Sequence, residues 1–300
     1  MIPAVDGDGN LQNAASLVRK SLVFPLVRSR LLARLMPFRQ PAVLLLSYPR
    51  SGSSWIGEVL SHSPDLAYLR EPVTQPYLSL FPREQPPETV FLPRTGDAIE
   101  HNYRRFATEA FAGIPPVELL DDSFRARAFA WPGRGGRRLL VKEVNLRAAG
   151  WYLGAFAPAL LLLVRHPAAV ADSYVRAGWW AESELEAFGR EYGDAVAFAI
   201  ESAQRTGATL LRYEDFAMDP ALHFLRLFRT LGVRAPAGFP RLIAAYSQAT
   251  ERPRSAYDVR RFSRAEVAKW KDNLRPAAVE AVRRGYLASR SLHYASPEAW

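Results

Sequence analysis

Apolar runs that alternate with helical patterns constrain the fold of this chain more than any other feature. The strongest runs lie at residues 42–47, 139–144, 160–164 and 208–216, and a shorter one lies at 66–70. Continuous apolar runs of this length are typical of strands that are buried on both faces. Strands that alternate with helices form parallel βαβ units with right-handed crossovers. The sequence therefore predicts an α/β fold, a three-layer sandwich with a central parallel sheet.

Helical patterns and prolines mark the connections between these strands. Helices are expected at 53–62, at 97–112, from Pro167 onward, and after Asp219 and Pro220. Proline suits the first position of a helix. The segment 71–93 contains six prolines, which predicts an irregular loop over one face of the sheet. The expected organisation is an N-terminal basic amphipathic segment, residues 1–40, followed by one domain, residues 41–300.

Composition excludes some classes of function. The chain has no cysteine, so a disulfide framework, a thiolate metal site and a cysteine nucleophile are all excluded. The net charge of +9 favours anionic partners, although only four basic residues are lysines, which indicates a general preference for arginine. No apolar run reaches the roughly 18 residues that a membrane-spanning helix needs, and the first ten residues lack a signal-peptide core. A soluble, cytoplasmic protein is expected.

The segment 11–39 permits two interpretations. It is apolar and basic, and no acidic residue occurs between Asp8 and Glu58. Such a segment can lie on an anionic membrane surface, which would make the protein membrane-peripheral. Pro25 and Pro37 interrupt it, however, and short amphipathic helices also pack on their own domain.

The stretch SYPRSGSSW, residues 47–55, follows the first strand and precedes the first helix of the predicted domain. A turn of this kind directs backbone N–H groups into a concavity at the positive end of a helix, which suits a phosphate-like anion. Gly52 permits close approach of the backbone, and Arg50 supplies a fixed positive charge. The hydroxyls that add hydrogen-bond donors belong to Ser51, Ser53 and Ser54.

Two further turns are expected to meet this one. In parallel α/β sheets, ligands bind beyond the carboxyl ends of the strands, where residues 142–145 and 165–166 also fall. The nucleotide-hydrolase P-loop requires GxxxxGK[ST], with a lysine for the β and γ phosphates. The turn at 47–55 lacks both that lysine and that spacing, which argues against a nucleoside triphosphate.

These motifs resemble those of a known family. YPRSGSSW resembles the 5′-phosphosulfate loop of the sulfotransferases that use 3′-phosphoadenosine 5′-phosphosulfate (PAPS). Arg165, at a strand end, and Ser173, eight residues later, resemble that family's 3′-phosphate motif, and LLRYEDF and KWKDNL resemble further family segments. With arginine at position 50 and DLAYLREP following, the chain looks closer to the carbohydrate and tyrosyl-protein branch than to the cytosolic aryl and steroid branch.

The resemblance implies a P-loop-like fold and a reaction. It implies an enzyme that moves a sulfuryl group from PAPS, without a metal, to an acceptor hydroxyl of a carbohydrate or glycoconjugate, with lipid, phenol and peptide acceptors left open. Arg50 would stabilise charge on the bridging oxygen, and residues 51–55, including Trp55, would surround the 5′-phosphate. The 3′-phosphate would contact Arg165 and Ser173, and a basic loop would add Arg260 and Arg261.

Two more residues complete the expected catalytic set. Lys142 lies at a strand end from which a lysine reaches the transferring group in the family, and Glu71 occupies the position of a glutamate that acts as base in other branches. Glu143 is the substitute base, but strand alternation points it to the opposite face from Lys142. Three histidines are weaker alternatives, namely His62, His101 and His166; His166 is expected to order the turn after Arg165.

The sequence leaves two other functions possible. A P-loop kinase or nucleotide hydrolase is disfavoured by the missing GK[ST] and would require magnesium-dependent ATP turnover. A non-catalytic anion-binding or membrane-surface protein would bind the nucleotide without turnover. No nucleic-acid partner is expected.

Overall fold

A single parallel sheet organises the structure, which is a computed structural model describing residues 23–82, 88–94, 96, 98–120, 125–129, 133–204, 206–247 and 264–300. Within these residues the strands are β1 Val43–Ser47, β2 Leu66–Arg70, β3 Arg138–Glu143, β4 Ala159–Val164 and β5 Thr209–Arg212. Their order across the sheet is β2-β3-β1-β4-β5, and every neighbouring pair is parallel. The α/β prediction is confirmed.

The central strand β1 sets the position of the turn that follows it. Val43 is opposite Leu140 of β3 on one side and Ala159 of β4 on the other. All five residues of β1 are buried, as the continuous apolar run predicts. Because the three strands are parallel, the turns after β1 and β4 and the end of β3 open at one edge of the sheet.

Helices cover both faces of the sheet. In chain order the helices of the described residues are α1 Phe24–Val27, α2 Arg30–Leu35, α3 Ser53–Ser61, α4 Thr74–Leu78, α5 Ala98–Phe111, α6 Ala149–Phe156, α7 Pro167–Arg176, α8 Leu185–Gln204, α9 Tyr213–Met218, α10 Pro220–Leu231, α11 Phe239–Ser247, α12 Ala265–Ala268, α13 Trp270–Asn273 and α14 Pro276–Leu287. The helices expected after the first strand, near 97–112, after Pro167 and after Asp219 are all present.

Two local predictions are wrong. The proline-rich segment contains the short helix α4, which begins where the backbone N–H groups of Val73 and Thr74 donate to the Glu143 carboxylate. The strand predicted at 208–216 is shorter in the structure, because β5 ends at Arg212 and helix α9 begins at the next residue, Tyr213. Acidic residues in its first turn, Glu214 and Asp215, favour a helix there.

The core is divided by the sheet into two layers. Leu44 and Leu46 of β1 pack into one apolar cluster, whereas Val43 and Leu45 pack into the other. This alternation is the ordinary period of a strand with helices on both faces. No helix of the described part of the chain has both the length and the apolar character needed to cross a membrane.

Candidate active site

The turn between β1 and α3 has an unusual backbone. Arg50 has φ of +67° and Gly52 has φ of +92°, so both lie in the left-handed region. That conformation costs a residue other than glycine of order 1–3 kcal/mol and is found where a site requires it. Here it reverses the chain after β1 and directs the Arg50 side chain over the edge of the sheet.

Gly52 is required by close packing as well as by its φ. A Cβ atom at this position would lie 2.4 Å from Cδ2 of Tyr213, the first residue of α9. The ring of Tyr213 therefore lies directly against the turn. No side chain, not even a methyl group, fits between the turn and the ring without displacing one of them.

Gly52→Ala is expected to destabilise the protein through both effects. The φ of +92° costs alanine about 1–2 kcal/mol, and the clash with Tyr213 adds about 1–3 kcal/mol. The matched control is Gly238→Ala, because Gly238 has φ of +72° and nothing within 4 Å of its Cβ position. The free energy of unfolding, measured in urea for both variants, should fall further for Gly52→Ala; equal losses would show that Tyr213 does not restrict this position.

A cavity of about 530 Å³ opens at the carboxyl edge of the sheet. Its walls include the predicted residues Arg50, Gly52, Ser53, Ser54, Trp55, Glu71, Lys142, Arg165 and Ser173. Ser51 is fully buried and is not part of the wall. Arg260 and Arg261 lie outside the described residues. The three strand ends that were expected to converge therefore do so.

Lys142 and Glu71 form an ion pair inside this cavity. Lys142 is almost completely buried, and its Nζ donates to Oε1 of Glu71. The backbone N–H of Glu71 also donates to the Lys142 carbonyl oxygen at 2.7 Å. Glu71 has φ of +52°, so it is the second residue other than glycine in the cavity wall with a left-handed backbone. The chain turns sharply after β2, and this turn places the Glu71 side chain at the end of β3.

The electrostatic environment keeps Glu71 ionised. Burial by itself raises the pKa of the Glu71 carboxyl, but the positive charges of Lys142, Arg70 and Arg50 outweigh burial, so the pKa lies below its usual value of 4.5. The carboxylate is therefore available as a proton acceptor at neutral pH, and any loss of the Lys142 contact would make it a stronger base.

Arg165 is fixed through its backbone by one tyrosine. The Tyr192 hydroxyl donates to the Arg165 carbonyl oxygen at 2.5 Å and accepts from the Arg165 N–H at 3.2 Å. Tyr192 is fully buried in the middle of α8. The guanidinium of Arg165 lies over the Tyr213 ring, 4.2 Å from its centroid, and this contact orients the side chain toward the cavity.

Arg50 links the first turn to helix α7. Its Nε donates to Oγ of Ser173 at 2.9 Å, and its carbonyl oxygen accepts from Nη1 of Arg165 at 3.2 Å. Its guanidinium also lies 5.7 Å from the ring centroid of Trp179. Arg50, Arg165 and Ser173 therefore form one cluster rather than separate sites.

Some buried donors in the cavity wall have no hydrogen-bond partner among the described residues. They include Nε of Arg165 and Nε1 of Trp55. A buried donor without an acceptor is costly, so these N–H groups point to a ligand rich in acceptor atoms. Phosphate oxygens are such acceptors, and they also match the positive charges of Arg50 and Arg165.

The other candidate bases lie elsewhere. Glu143 is buried on the opposite face of β3, where its carboxylate accepts from Val73 N–H at 2.6 Å, and burial raises its pKa to about 7. His62 pairs with Tyr246 and Arg125 and is not part of the cavity wall, and His101 is exposed on α5. Within the described parts of the chain, no group of three His, Cys, Asp or Glu could hold a metal ion.

His166 orders the turn after Arg165, as expected. Its Nδ1 accepts from Ala168 N–H at 3.2 Å at the start of α7. Its ring stacks on Trp270, with centroids 4.7 Å apart. Burial lowers its pKa to about 4, so the imidazole is neutral and serves as a helix cap.

Sequence reasoning missed several residues of the cavity wall. These are Arg70, Arg176, Tyr213 and Tyr246. A signal existed for Arg70, since it is the last residue of β2 and the strand-end rule applies to it as it does to Arg165. Arg176 is a different case, because its guanidinium is held by the buried carboxylate of Asp172. The others depend on tertiary packing that no local pattern reveals.

Residues 41–237 match the model of a protein family described as the Sulfotransferase family. The match includes the turn after β1, the end of β3 and the turn after β4. A comparison with curated proteins gave no significant match.

Several solved structures are similar to this chain. A mouse sulfotransferase, SULT7A1, in complex with PAP is 14% identical over 91% of this chain and 93% of its own, with a TM-score of 0.49. The sulfotransferase domain of the Synechococcus PCC 7002 olefin synthase is 19% identical over 81% and 93%, with a TM-score of 0.48. The sulfotransferase STF9 of Mycobacterium avium is 14% identical over 92% and 83%, with a TM-score of 0.46.

Proposed function

Because this chain belongs to the sulfotransferase family, we propose that it is an enzyme that transfers the sulfuryl group of PAPS to an acceptor hydroxyl. One observation carries this proposal. Three cations from three adjacent strand ends, Arg50, Lys142 and Arg165, line one cavity together with the carboxylate of Glu71. A donor with phosphates at its 3′ and 5′ ends needs several fixed positive charges, and the acceptor needs a base.

The cavity residues form two sets, one for each phosphate-bearing end of such a donor. Arg165 and Ser173 would hold the 3′-phosphate, the arginine through its unpartnered Nε and the serine through its hydroxyl. Arg50, Ser53, Ser54 and the backbone N–H groups at the start of α3 would hold the 5′-phosphosulfate. The Arg50–Ser173 hydrogen bond joins the two sets.

The donor supplies a sulfuryl group whose sulfur–oxygen bond to the 5′-phosphate breaks, leaving the electron pair on the phosphate oxygen. Arg50 stabilises this charge, because its guanidinium is always protonated and cannot deliver a proton. Lys142 adds a second positive charge at the end of β3, beside Glu71. Glu71 accepts the proton of the acceptor hydroxyl as the new bond to sulfur forms.

We assign the acceptor hydroxyl to a carbohydrate or glycoconjugate. Trp179 has 54% of its surface exposed beside the cavity, and an aromatic face of this kind packs well against a sugar ring. Gln75 and Arg70 add hydrogen-bonding groups on the same wall. Incubation with labelled PAPS and a panel of glycans, peptides, phenols and lipids identifies the acceptor by the added mass of a sulfuryl group; binding without transfer to any of them would favour a non-catalytic protein.

The assignment of the 3′-phosphate predicts a difference between two nucleotides. The bisphosphorylated product, 3′-phosphoadenosine 5′-phosphate, is expected to raise the melting temperature by several degrees at saturation, whereas AMP should raise it far less. The reason is that AMP lacks the group that Arg165 and Ser173 would bind. Ser173→Ala should reduce the difference and Arg165→Ala should remove it. Equal shifts with the two nucleotides in the unmodified protein would contradict the assignment.

A further inference from the structure

The helices α1 and α2 are firmly attached to the domain through one side. Phe24 and Val27 of α1 are buried in the main apolar cluster, and Ala33 of α2 is buried as well. At the end of α2, Nε of Arg134 donates to the Met36 carbonyl oxygen at 2.9 Å. These two short helices therefore form a fixed part of the surface rather than a loose extension.

The outer side of the same helices is apolar. The exposed fraction is 55% for Leu26 and 65% for both Leu31 and Leu35. Leu31 and Leu35 are four residues apart and so share one face of α2. A helix that only packs on its own domain normally presents polar residues to water. Packing on the domain therefore explains the buried half of these helices and leaves the exposed leucines without a role.

The exposed leucines are accompanied by positive charge. Arg30, Arg34 and Arg39 are exposed in the same stretch, and the sequence has no acidic residue between Asp8 and Glu58. Across the described residues, Arg30 pairs with Glu109 of α5, whereas Arg34 and Arg39 take part in no ion pair there. We use the name leucine–arginine face for the six exposed residues of this stretch, Leu26, Arg30, Leu31, Arg34, Leu35 and Arg39.

We propose that the leucine–arginine face binds the surface of an anionic lipid membrane. Leucine side chains that enter the interfacial region, flanked by arginines that meet anionic headgroups, are the two contributions that peripheral membrane binding requires. The charge favours this occupant, because an apolar protein partner would not require arginines beside the leucines, and two of the three arginines, Arg34 and Arg39, form no ion pair within the described residues. The protein would then act as a peripheral protein. This inference does not depend on the reaction proposed above.

Helix α10 provides a matched control surface. It also presents a leucine and an arginine four residues apart, Leu222 and Arg226, both exposed. Acidic residues surround them, since Asp219 caps α10 and Asp215 lies one turn earlier. Leu222→Glu therefore reproduces one of the two leucine substitutions outside the leucine–arginine face, and Arg226→Ala reproduces Arg34→Ala there.

Co-sedimentation with vesicles tests the proposal on the full chain. The protein should sediment with vesicles of phosphatidylglycerol and phosphatidylcholine and stay in solution with phosphatidylcholine alone, and high salt should reduce binding. The double variant Leu31→Glu/Leu35→Glu should weaken binding by at least about tenfold. Arg34→Ala should weaken it roughly fivefold, while Leu222→Glu and Arg226→Ala should leave it unchanged. Unaltered melting temperatures of the variants would show that they fold.

Three results would overturn the proposal. The first is that the unmodified protein does not sediment with phosphatidylglycerol vesicles. The second is that the double leucine variant binds as tightly as the unmodified protein. The third is equal weakening by the substitutions on α10, which would indicate adsorption through overall positive charge, since the chain has a net charge of +9.

Discussion

Arg50→Ala is expected to lower turnover with PAPS and the acceptor by at least about a hundredfold, the usual cost of removing a charge partner of the transition state. Arg50 extends from the turn after β1 into the cavity and contacts Ser173. Arginine, lysine and alanine all adopt the φ of +67° at a similar cost, so the substitution changes the side chain and not the backbone conformation. The rate constant kcat, measured with labelled donor, is the appropriate readout.

Two further variants separate a specific role of Arg50 from a general effect of positive charge. Arg50→Lys keeps the charge and should retain most of the turnover that alanine loses. Arg176→Ala removes another arginine of the same cavity wall, but one whose charge is already paired with Asp172, so it should change kcat by less than about tenfold. If Arg176→Ala and Arg50→Ala are equally impaired, the role assigned to Arg50 is wrong.

Glu71→Gln is expected to lower kcat by about 10² to 10⁴, which is the contribution of a positioned general base. Glutamine has nearly the same shape, so the turn after β2 should be kept, but it cannot accept the acceptor proton. Binding of 3′-phosphoadenosine 5′-phosphate, measured by the melting shift, should be little changed. Near-normal turnover of this variant on the identified acceptor would exclude Glu71 as the base.

The pKa of Glu71 also predicts a pH profile. Burial raises it, but the charges of Lys142, Arg70 and Arg50 hold it below 4.5, so the carboxylate is lost only as the pH falls through that lowered value. kcat/KM reports the free enzyme, and protonation of Glu71 should therefore cause no decrease between about pH 8 and pH 5. A decrease that is centred near pH 6 in the unmodified protein and absent from Glu71→Gln would contradict the direction of this shift.

The sheet could be predicted because buried parallel strands leave a strong local signal. The runs that became β1, β2, β3 and β4 are continuous and apolar, and their observed bounds differ from the predicted ones by one residue or less. Helix α4 could not be predicted in the same way. Pro76 is tolerated there because the first N–H groups of a helix have no intrahelical partner, and the start of α4 is fixed by Glu143, 70 residues away in sequence from Val73.

The candidate site was only partly predictable for a similar reason. The rule that strand ends converge brings Arg50, Lys142 and Arg165 together, and the cavity contains all three. Their roles in sulfuryl transfer stay predictions. The double contact of Tyr192 with the Arg165 backbone depends on how α8 packs against β4, and no sequence pattern specifies that packing.

Tyr213 lies between the turn after β1 and the turn after β4 and contacts both. One side of its ring leaves no room for a Cβ on Gly52, and the guanidinium of Arg165 lies over the same ring. The turns after β1 and β4 also contact each other through the hydrogen bond from Nη1 of Arg165 to the Arg50 carbonyl oxygen, so the Tyr213 ring and this bond both contribute to the spacing of the two turns. Under the proposed assignment, this arrangement would set the distance between the binding sites for the two anionic groups of the donor. The protein would then discriminate among donors by the distance between these groups as well as by their charge.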